Sequence, residues 1–492
     1  MKSTAPAIVP VIAIDRAADK PLYRQICDEF RAAIVERRLT AGQRLPSTRA
    51  LAGELAISRI PVLTAFEQLL AEGYFESRVG SGTFVSGMLP DHARAPKRPA
   101  AARPKRTGPR LLSRRPAKLL RALPEPWLKG FGGFRMSEPA LDHFPFSTWS
   151  RLLARHARRR GALNYGSAMG DVQLRQALAV YLRTARAVRC EPEQIMVVSG
   201  SQQALEITAR VLLEPRQPVW IEDPGYGGAR DALAMAGARL VPVPVDQDGL
   251  DVTAGIRMCR RARAAYVTPS HQYPLGGTMS ASRRLQLLNW AQTTGAWIIE
   301  DDYDSEFRYE SQPIAALQGL DRDSRVVYIG TFSKVLFPAL RMGYVVIPAD
   351  LVSRFAAVRE AMDICPPALS AAVLADFIAE GHFARHLRRT NDLYRERRSV
   401  LVESLTRHLG RSLQVVGAEA GIHLVALHNR PWDRPIAERA AREGLWVMPL
   451  SSCYLESPRL HGLVLGYGGI SVADIPKAVQ RLRRVMSAPP PA

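Results

Sequence analysis

Cysteine is scarce in this chain. The five residues present, Cys27, Cys190, Cys259, Cys365 and Cys453, are far apart, odd in number and form no CxxC pair. That spacing argues against a disulfide framework or a zinc module and fits a reducing cytoplasm. Long apolar runs are missing as well. The stretch Ile8 to Ile14 is too short to span a membrane and lacks a small-residue cleavage site, so it reads as a strand, and no membrane partner is expected. Acidic residues are in deficit, 46 against 67 basic, for a formal charge of +21. The deficit is concentrated: residues 87–130 hold 12 basic side chains and 2 acidic ones. Such a piece favours a polyanion, DNA or RNA, although a solvated linker would share its composition.

What is present is ample for a large fold. At 492 residues and 47% apolar the chain is expected to form about two to four domains. From Pro21, the residues Leu22, Ile26, Phe30 and Ile34 recur every four positions, which predicts an amphipathic helix ending near Arg38. Ser47 is placed to cap a second helix through about Leu55, and Ser58 a third carrying Val62, Phe66, Leu69 and Leu70 inward. Two short helices joined by a tight turn read as helix-turn-helix. After Gly73, the runs Tyr74 to Ser77 and Thr83 to Ser86 flank Val79-Gly80-Ser81-Gly82, whose glycines suit a hairpin tip, giving a wing.

The segments Leu45-Pro46-Ser47-Thr48-Arg49-Ala50-Leu51-Ala52, Ser58-Arg59, Leu69 to Tyr74 and Gly80-Ser81-Gly82-Thr83-Phe84-Val85 resemble the winged-helix domain of GntR-type bacterial transcription regulators. The resemblance implies a double-stranded DNA operator as partner. It places Ser47, Arg49, Ser58, Arg59, Thr64, Gly80 and Gly82 at the DNA, with Arg49 and Arg59 on phosphates or base edges and the glycine wing in the minor groove. Arginine is the side chain best able to grip phosphate or guanine bidentately. Pro61 stands where such domains usually carry a threonine; it is tolerable in a first helical turn but donates no hydrogen bond.

Residues 8–86 are therefore expected to form this domain and 87–130, with eight prolines among the basic residues, a tether that cannot bury enough apolar surface to fold alone. Its charge would add sequence-independent DNA affinity through counterion release, or serve as a soluble spacer. From 131 to 485 short β-like runs alternate with helical stretches: Ile195 to Val198, Val219 to Ile221, Leu240 to Val243, Ala264 to Thr268, Trp297 to Ile299, Val326 to Ile329 and Tyr344 to Ile347. The alternation predicts an α/β domain with a mostly parallel central sheet and ligands at the strand ends.

Just beyond one such run stands Thr331-Phe332-Ser333-Lys334, with Arg341 seven residues after the lysine. An amine that must attack a carbonyl has to be neutral part of the time, and partial burial among Phe332, Leu336 and Phe337 would depress its pKa. The hydroxyls and the guanidinium suit a phosphate. Together they fit pyridoxal 5'-phosphate held as a Schiff base. Ser199-Gly200-Ser201-Gln202-Gln203 opens a helix after a strand, a phosphate cradle. Glu222-Asp223-Pro224-Gly225-Tyr226 delivers an aromatic ring, and Glu300-Asp301-Asp302-Tyr303 ends a strand with acids that have no obvious structural employment. A carboxylate against the ring nitrogen would keep a pyridinium protonated.

With Asn164-Tyr165-Gly166, Gly170 and Leu174-Arg175, these pieces fall in the order of the class I aminotransferases, fold type I among pyridoxal-phosphate enzymes, which the chain resembles from about residue 131 to 480. The resemblance implies that Lys334 forms the internal aldimine, Asp301 pairs with the pyridine nitrogen, Tyr303 bonds the phenolic oxygen and Tyr226 stacks on the ring. Gly200, Ser201, Gln202, Ser333 and Arg341 would hold the phosphate, and Tyr165 would arrive from the partner of a homodimer. A GntR-like winged helix fused to such a domain is similar to the MocR subfamily, whose versions of two phrases are Ser270-His271-Gln272-Tyr273-Pro274 and Asp302-Tyr303-Asp304-Ser305-Glu306-Phe307; His271 joins the expected cofactor residues. The subfamily further implies a head-to-tail, domain-swapped dimer. Val464, in Leu463-Val464-Leu465-Gly466-Tyr467, takes the place of the arginine that grips a substrate α-carboxylate in the aminotransferases, and Arg230 or Arg459 would have to substitute for it in holding an effector.

The expected function is thus a cytoplasmic, PLP-dependent, DNA-binding regulator that senses an amino compound or pyridoxal phosphate itself at the Lys334 aldimine. Its effector would be an amine or amino acid, with 4-aminobutyrate and taurine among those the resemblance allows. The alternative is an active class I aminotransferase with an accessory DNA-binding arm; the lost arginine leaves at most residual half-reaction chemistry. No metal is expected.

Overall fold

The computed structural model describes residues 12–487 apart from 13, 37, 79, 88–124, 129, 160–163, 310–313 and 411. They fall into two compact units. The tether's basic core, residues 88–124, lies outside the described residues, as does Val79 at the hairpin tip.

In the smaller unit the four-residue period becomes helix α1, Leu22–Val35, which buries Ile26, Cys27, Phe30 and Ala33. Helices α2, Thr48–Glu54, and α3, Arg59–Ala71, follow. The Ser47 side chain caps α2 by accepting from the Ala50 amide at 3.1 Å. Ser58 occupies the corresponding extended position before α3, but its side chain makes no cap bond, so the expected second cap is absent. Strands β1, Phe75–Arg78, and β2, Gly82–Val85, pair antiparallel with Phe75 opposite Val85. Gly80 (φ 73°) and Gly82 (φ 106°) take the left-handed conformations that the turn requires. Phe30, Phe66 and Phe75 meet edge to face at 5.1 to 5.8 Å, one ring from each of α1, α3 and β1, and so lock the three elements together. Ile12 is buried, yet it and Ile14 are not in a strand, so the strand expected over Ile8 to Ile14 is not seen in its described residues.

The larger unit is built on an eight-stranded sheet in the order β3-β10-β9-β8-β7-β4-β5-β6. Its strands are β3 Ile195–Val198, β4 Pro218–Asp223, β5 Arg239–Asp246, β6 Gly249–Leu250, β7 Ala264–Val267, β8 Trp297–Asp302, β9 Val326–Thr331 and β10 Gly343–Val346. All seven expected runs are strands. The neighbours from β5 to β9 are parallel, whereas β10 runs antiparallel to both β3 and β9, and the short β6 antiparallel to β5. Alternate residues enter different cores: Met196 and Val198 of β3 join one apolar cluster, Ile195 and Val197 another. Both faces are therefore covered, which is why these strands read as continuous apolar runs rather than as alternating ones.

A second sheet, which the pattern did not announce, contains β11 Gln414–Val416, β12 His423–His428, β13 Met448–Pro449 and β14 His461–Gly466, ordered β11-β12-β14-β13 and wholly antiparallel. The turn Pro126–Leu128, which the composition assigned to the tether, buries Trp127 in the core of this unit.

Candidate cofactor site

The carboxyl ends of β8 and β9 and the start of the helix Ser201–Leu212 open onto one pocket. Ser137, Ser201, Gln202, Tyr226, Tyr266, Thr268, Tyr273, Asp301, Tyr303, Thr331, Ser333, Lys334, Pro338 and Arg341 line it. A parallel sheet gathers ligands at this end because its loops and helix N-termini converge there.

Asp301, buried at the end of β8, accepts a 2.7 Å hydrogen bond from the Tyr266 hydroxyl on Oδ2. Its Oδ1 is buried with no hydrogen-bond partner among the described residues. Burial pushes the carboxyl up to about 7, against the lowering effect of the Tyr266 bond. An orphaned buried carboxylate oxygen is costly unless something cationic meets it, and a protonated pyridine nitrogen is such a group. Lys334, just past β9, is pushed down to about 8, chiefly by burial, with the Asp304 and Asp301 charges opposing the fall. Its amine is therefore neutral part of the time near neutral pH, as a nucleophile toward an aldehyde must be.

A phosphate cradle lies close by. Gly200 has φ 89° and precedes the helix Ser201–Leu212, whose first amides have no helical acceptors. A Cβ at Gly200 would stand 3.2 Å from Arg341 Nη2, so any side chain there would crowd the guanidinium, and the φ itself favours glycine. Arg341 Nη2 donates to the Ser199 carbonyl at 2.9 Å, and Arg341 lines the pocket. The Thr331 hydroxyl donates to Ser333 Oγ at 3.1 Å. Gln202 Nε2 donates to the Tyr226 hydroxyl at 3.1 Å, tying the cradle to the ring expected to cover the cofactor. Pyridoxal phosphate fits this set at all three of its functional points, the ring nitrogen, the aldehyde and the phosphate.

Two of the three acids of Glu300-Asp301-Asp302 have structural work, contrary to the expectation from sequence. Glu300 is fully buried and accepts from the Leu317 and Gln318 amides, both at 2.8 Å, at the start of the helix Leu317–Leu320. Asp302 accepts from Arg186 at 2.7 Å and from the Tyr328 hydroxyl at 2.6 Å. Only Asp301 faces the pocket.

Lys334, Asp301, Tyr303, Tyr226, Ser201, Gln202, Ser333 and Arg341 come together on the pocket wall, and Gly200 sits directly behind Arg341. His271 does not reach the wall. Its Nδ1 lies 3.1 Å from the Tyr303 hydroxyl and 2.8 Å from Asp304 Oδ1, so it touches the pocket's lining through that tyrosine. With His423 these groups form a buried His-Asp-His cluster whose ligand-type atoms lie within 4.8 Å of one another. Tyr165 is 83% exposed and lines a different hollow, with Asn164, Gly166 and Gly170. Arg230 is buried and donates to the Ser452 carbonyl at 3.1 Å, and Arg459 is exposed; neither lines the pocket. Val464 is fully buried between Val425 and Met448 in the second sheet. Sequence reasoning missed Tyr266 and Thr268, whose only signal was their position at the end of β7.

In the smaller unit Arg49, Ser58, Arg59, Thr64, Gly80 and Gly82 are all exposed. Arg59 Nε donates to the Thr48 hydroxyl at 3.2 Å, so the starts of α2 and α3 stand side by side.

Fold and site define a class I and II aminotransferase domain attached to a bacterial regulator's DNA-binding domain. The model of the family "Aminotransferase class I and II" matches residues 134–482, and that of "Bacterial regulatory proteins, gntR family" matches residues 22–85. Among solved structures, the chain is similar to an archaeal alanine:glyoxylate aminotransferase (27% identity, TM-score 0.68, covering 73% of this chain and 90% of that one). It is likewise similar to LysN, an α-aminoadipate aminotransferase of Thermus thermophilus complexed with N-(5'-phosphopyridoxyl)-L-leucine (28% identity, TM-score 0.67, covering 73% and 93%). Over 97% of its length it is 42% identical to 96% of the probable rhizopine catabolism regulatory protein MocR of Rhizobium meliloti. The chain belongs to the MocR subfamily of GntR-type transcription regulators. Among the described residues no helix is long and apolar enough to cross a membrane.

Proposed function

We propose that this regulator binds pyridoxal phosphate covalently at Lys334 and reads the level of an amino compound, or of pyridoxal phosphate itself, through exchange at that lysine. The observation that carries the reading is that a lysine shifted down to about 8 lines the same pocket as a buried carboxylate with one oxygen unpartnered among the described residues. When bound, the cofactor supplies an electrophilic carbon and an electron-withdrawing ring. The protein's residues do the rest. Asp301 holds a proton on the ring nitrogen, Tyr303 donates to the phenolic oxygen, Tyr226 covers the ring, and Arg341, Ser201, Gln202 and Ser333 hold the phosphate. Lys334 offers its neutral amine and accepts exchange with an incoming amine.

Residues 8–86 serve as the DNA-binding domain, 87–130 as a basic tether and 131–485 as the sensor, in a cytoplasmic, domain-swapped homodimer with Tyr165 lent to the partner's site. DNA is held by Arg49 and Arg59 and by the wing at Gly80 and Gly82. Val464, where the resemblance to aminotransferases expects the arginine that grips a substrate α-carboxylate, supports sensing over turnover, because losing that grip costs on the order of 2 kcal/mol of orientation.

The test is the visible absorption of the purified protein, with Lys334→Ala as control, before and after candidate amines are added. The expected result is a band that disappears in the variant and shifts with one amine, while Lys334→Ala keeps DNA binding but loses the response to that amine. A protein that takes up no pyridoxal phosphate, or a variant that responds to the amine unchanged, refutes the proposal.

A further inference from the structure

Among the described residues of the smaller unit, two large apolar side chains are exposed, Ile60 at 73% and Leu63 at 42%, and both lie on α3. Three positions apart, they share one face of the helix, and the exposed Thr64 continues it. The opposite face is fully employed, since Val62, Ala65, Phe66 and Leu69 are buried against the rest of the unit. Nothing in the folding of this unit calls for isoleucine at position 60.

The surroundings indicate what would cover this face. Arg59 precedes Ile60, and its bond to Thr48 brings the exposed Arg49 and the start of α2 alongside. The first turn of α3 contains no acidic residue, so its dipole favours an anion. Pro61 removes one backbone donor at no cost to the helix, because the first amides have no helical acceptor. The nearest acid on the same face, Glu67, comes a full turn beyond Leu63, which confines the cation-flanked apolar patch to the N-terminal half. A patch of this kind, apolar in the centre and cationic at the edge, complements the major groove over thymine. There the base edge presents a C5 methyl, while phosphates run along both sides. Guanine and adenine are read by bidentate hydrogen-bonding side chains, which this face lacks at positions 60, 61 and 63.

We propose that Ile60 and Leu63 read thymine C5 methyl groups, giving the operator thymine at fixed positions in each half-site. The inference rests on the DNA-binding reading above and adds to it the base that is read. Losing one methyl contact of this size should weaken binding about 4-fold, from the burial of roughly one methyl group.

The experiment selects duplexes from a randomised pool with the full-length protein, then resynthesises the selected site with each thymine in turn replaced by deoxyuridine, which removes only the methyl. Affinity is measured by fluorescence anisotropy. The expected result is one or two positions per half-site at which deoxyuridine costs about 4-fold, and at which that penalty vanishes in Ile60→Ala or Leu63→Ala. Arg59→Ala should instead weaken all sequences and leave the penalty in place. If a site is selected but no deoxyuridine position matters, or the penalty persists in both alanine variants, the methyl reading is wrong while DNA binding stands. If Ile60→Ala lowers the oligomer mass without changing DNA affinity, the patch is a contact between copies and the proposal falls. If no site is selected at all, the DNA-binding reading fails with it.

Discussion

Lys334 offers the sharpest quantitative test of the site, because its reactivity depends on one proton. An ordinary lysine amine titrates at 10.5, whereas burial holds this one near 8. At pH 7 roughly one Lys334 amine in ten is then neutral, against about one in three thousand for an unperturbed lysine, a gain of about 300-fold in nucleophile. The protein should be stripped of cofactor with hydroxylamine and dialysed, and the growth of its visible band followed after pyridoxal phosphate is added at a series of pH values. The initial rate is expected to rise close to tenfold per pH unit below about pH 7.5 and to level off above about 8. Asp301→Asn removes a carboxylate that holds the lysine's pKa up, so the midpoint should move lower still. The stability of the stripped protein carries the same signature. Its folded pKa is the lower one, so between about 8 and 10.5 the unfolded chain binds more protons, and stability should rise with pH across that window and be flat below it. A rate that keeps climbing tenfold per unit beyond about pH 9, or a midpoint that moves upward in Asp301→Asn, would refute a lysine tuned by burial.

Other positions give independent checks. Arg341→Ala should weaken pyridoxal phosphate binding by about 10- to 100-fold, the size of a lost charge-assisted contact, read by equilibrium dialysis; Gly200→Ala should do so in part, since its methyl would stand 3.2 Å from the guanidinium. Arg186→Met strands Asp302 as a buried charge and should cost about 3 to 5 kcal/mol in denaturant unfolding, while cofactor affinity in the folded fraction stays within about twofold. Ser47→Ala should cost the smaller unit about 1 kcal/mol, whereas Ser58→Ala, with no cap bond to lose, should fall within about 0.5 kcal/mol, both measured by thermal unfolding monitored in that unit.

Much of the architecture was legible because parallel strands covered on both faces leave unbroken apolar runs, and all seven such runs are strands of the large sheet. The lysine was legible for a local reason too: Thr331, Ser333 and Arg341 lie within about ten residues of one another, and the fold needed only to turn them to one side. What could not be read depended on distant partners. Arg186, which occupies Asp302, is 116 residues away, and the amides that occupy Glu300 are 17 and 18 residues on, so three adjacent acids looked equally available. Two strands of the second sheet, β11 and β13, are three and two residues long, too short to show any period. His271 was expected among the cofactor residues, yet it is absent from the pocket lining and its Nδ1 meets the Tyr303 hydroxyl instead, a fact of packing with no trace in spacing. The unmade cap at Ser58 is of the same kind: residue type and backbone are right, and only the side-chain direction differs.

The run Glu300-Asp301-Asp302 has a consequence for genetics. Consecutive side chains on a strand point to opposite faces, so three neighbouring codons of similar chemistry serve a helix start, the pocket where a cofactor is proposed, and a buried arginine. In a screen for loss of regulation all three codons would score alike, and a map of such alleles would draw a single three-residue hot spot. Growth on excess vitamin would split it. Asp301→Asn, expected to fold but to hold its cofactor loosely, should be rescued in part, whereas alleles at the codons on either side should remain null however much is supplied.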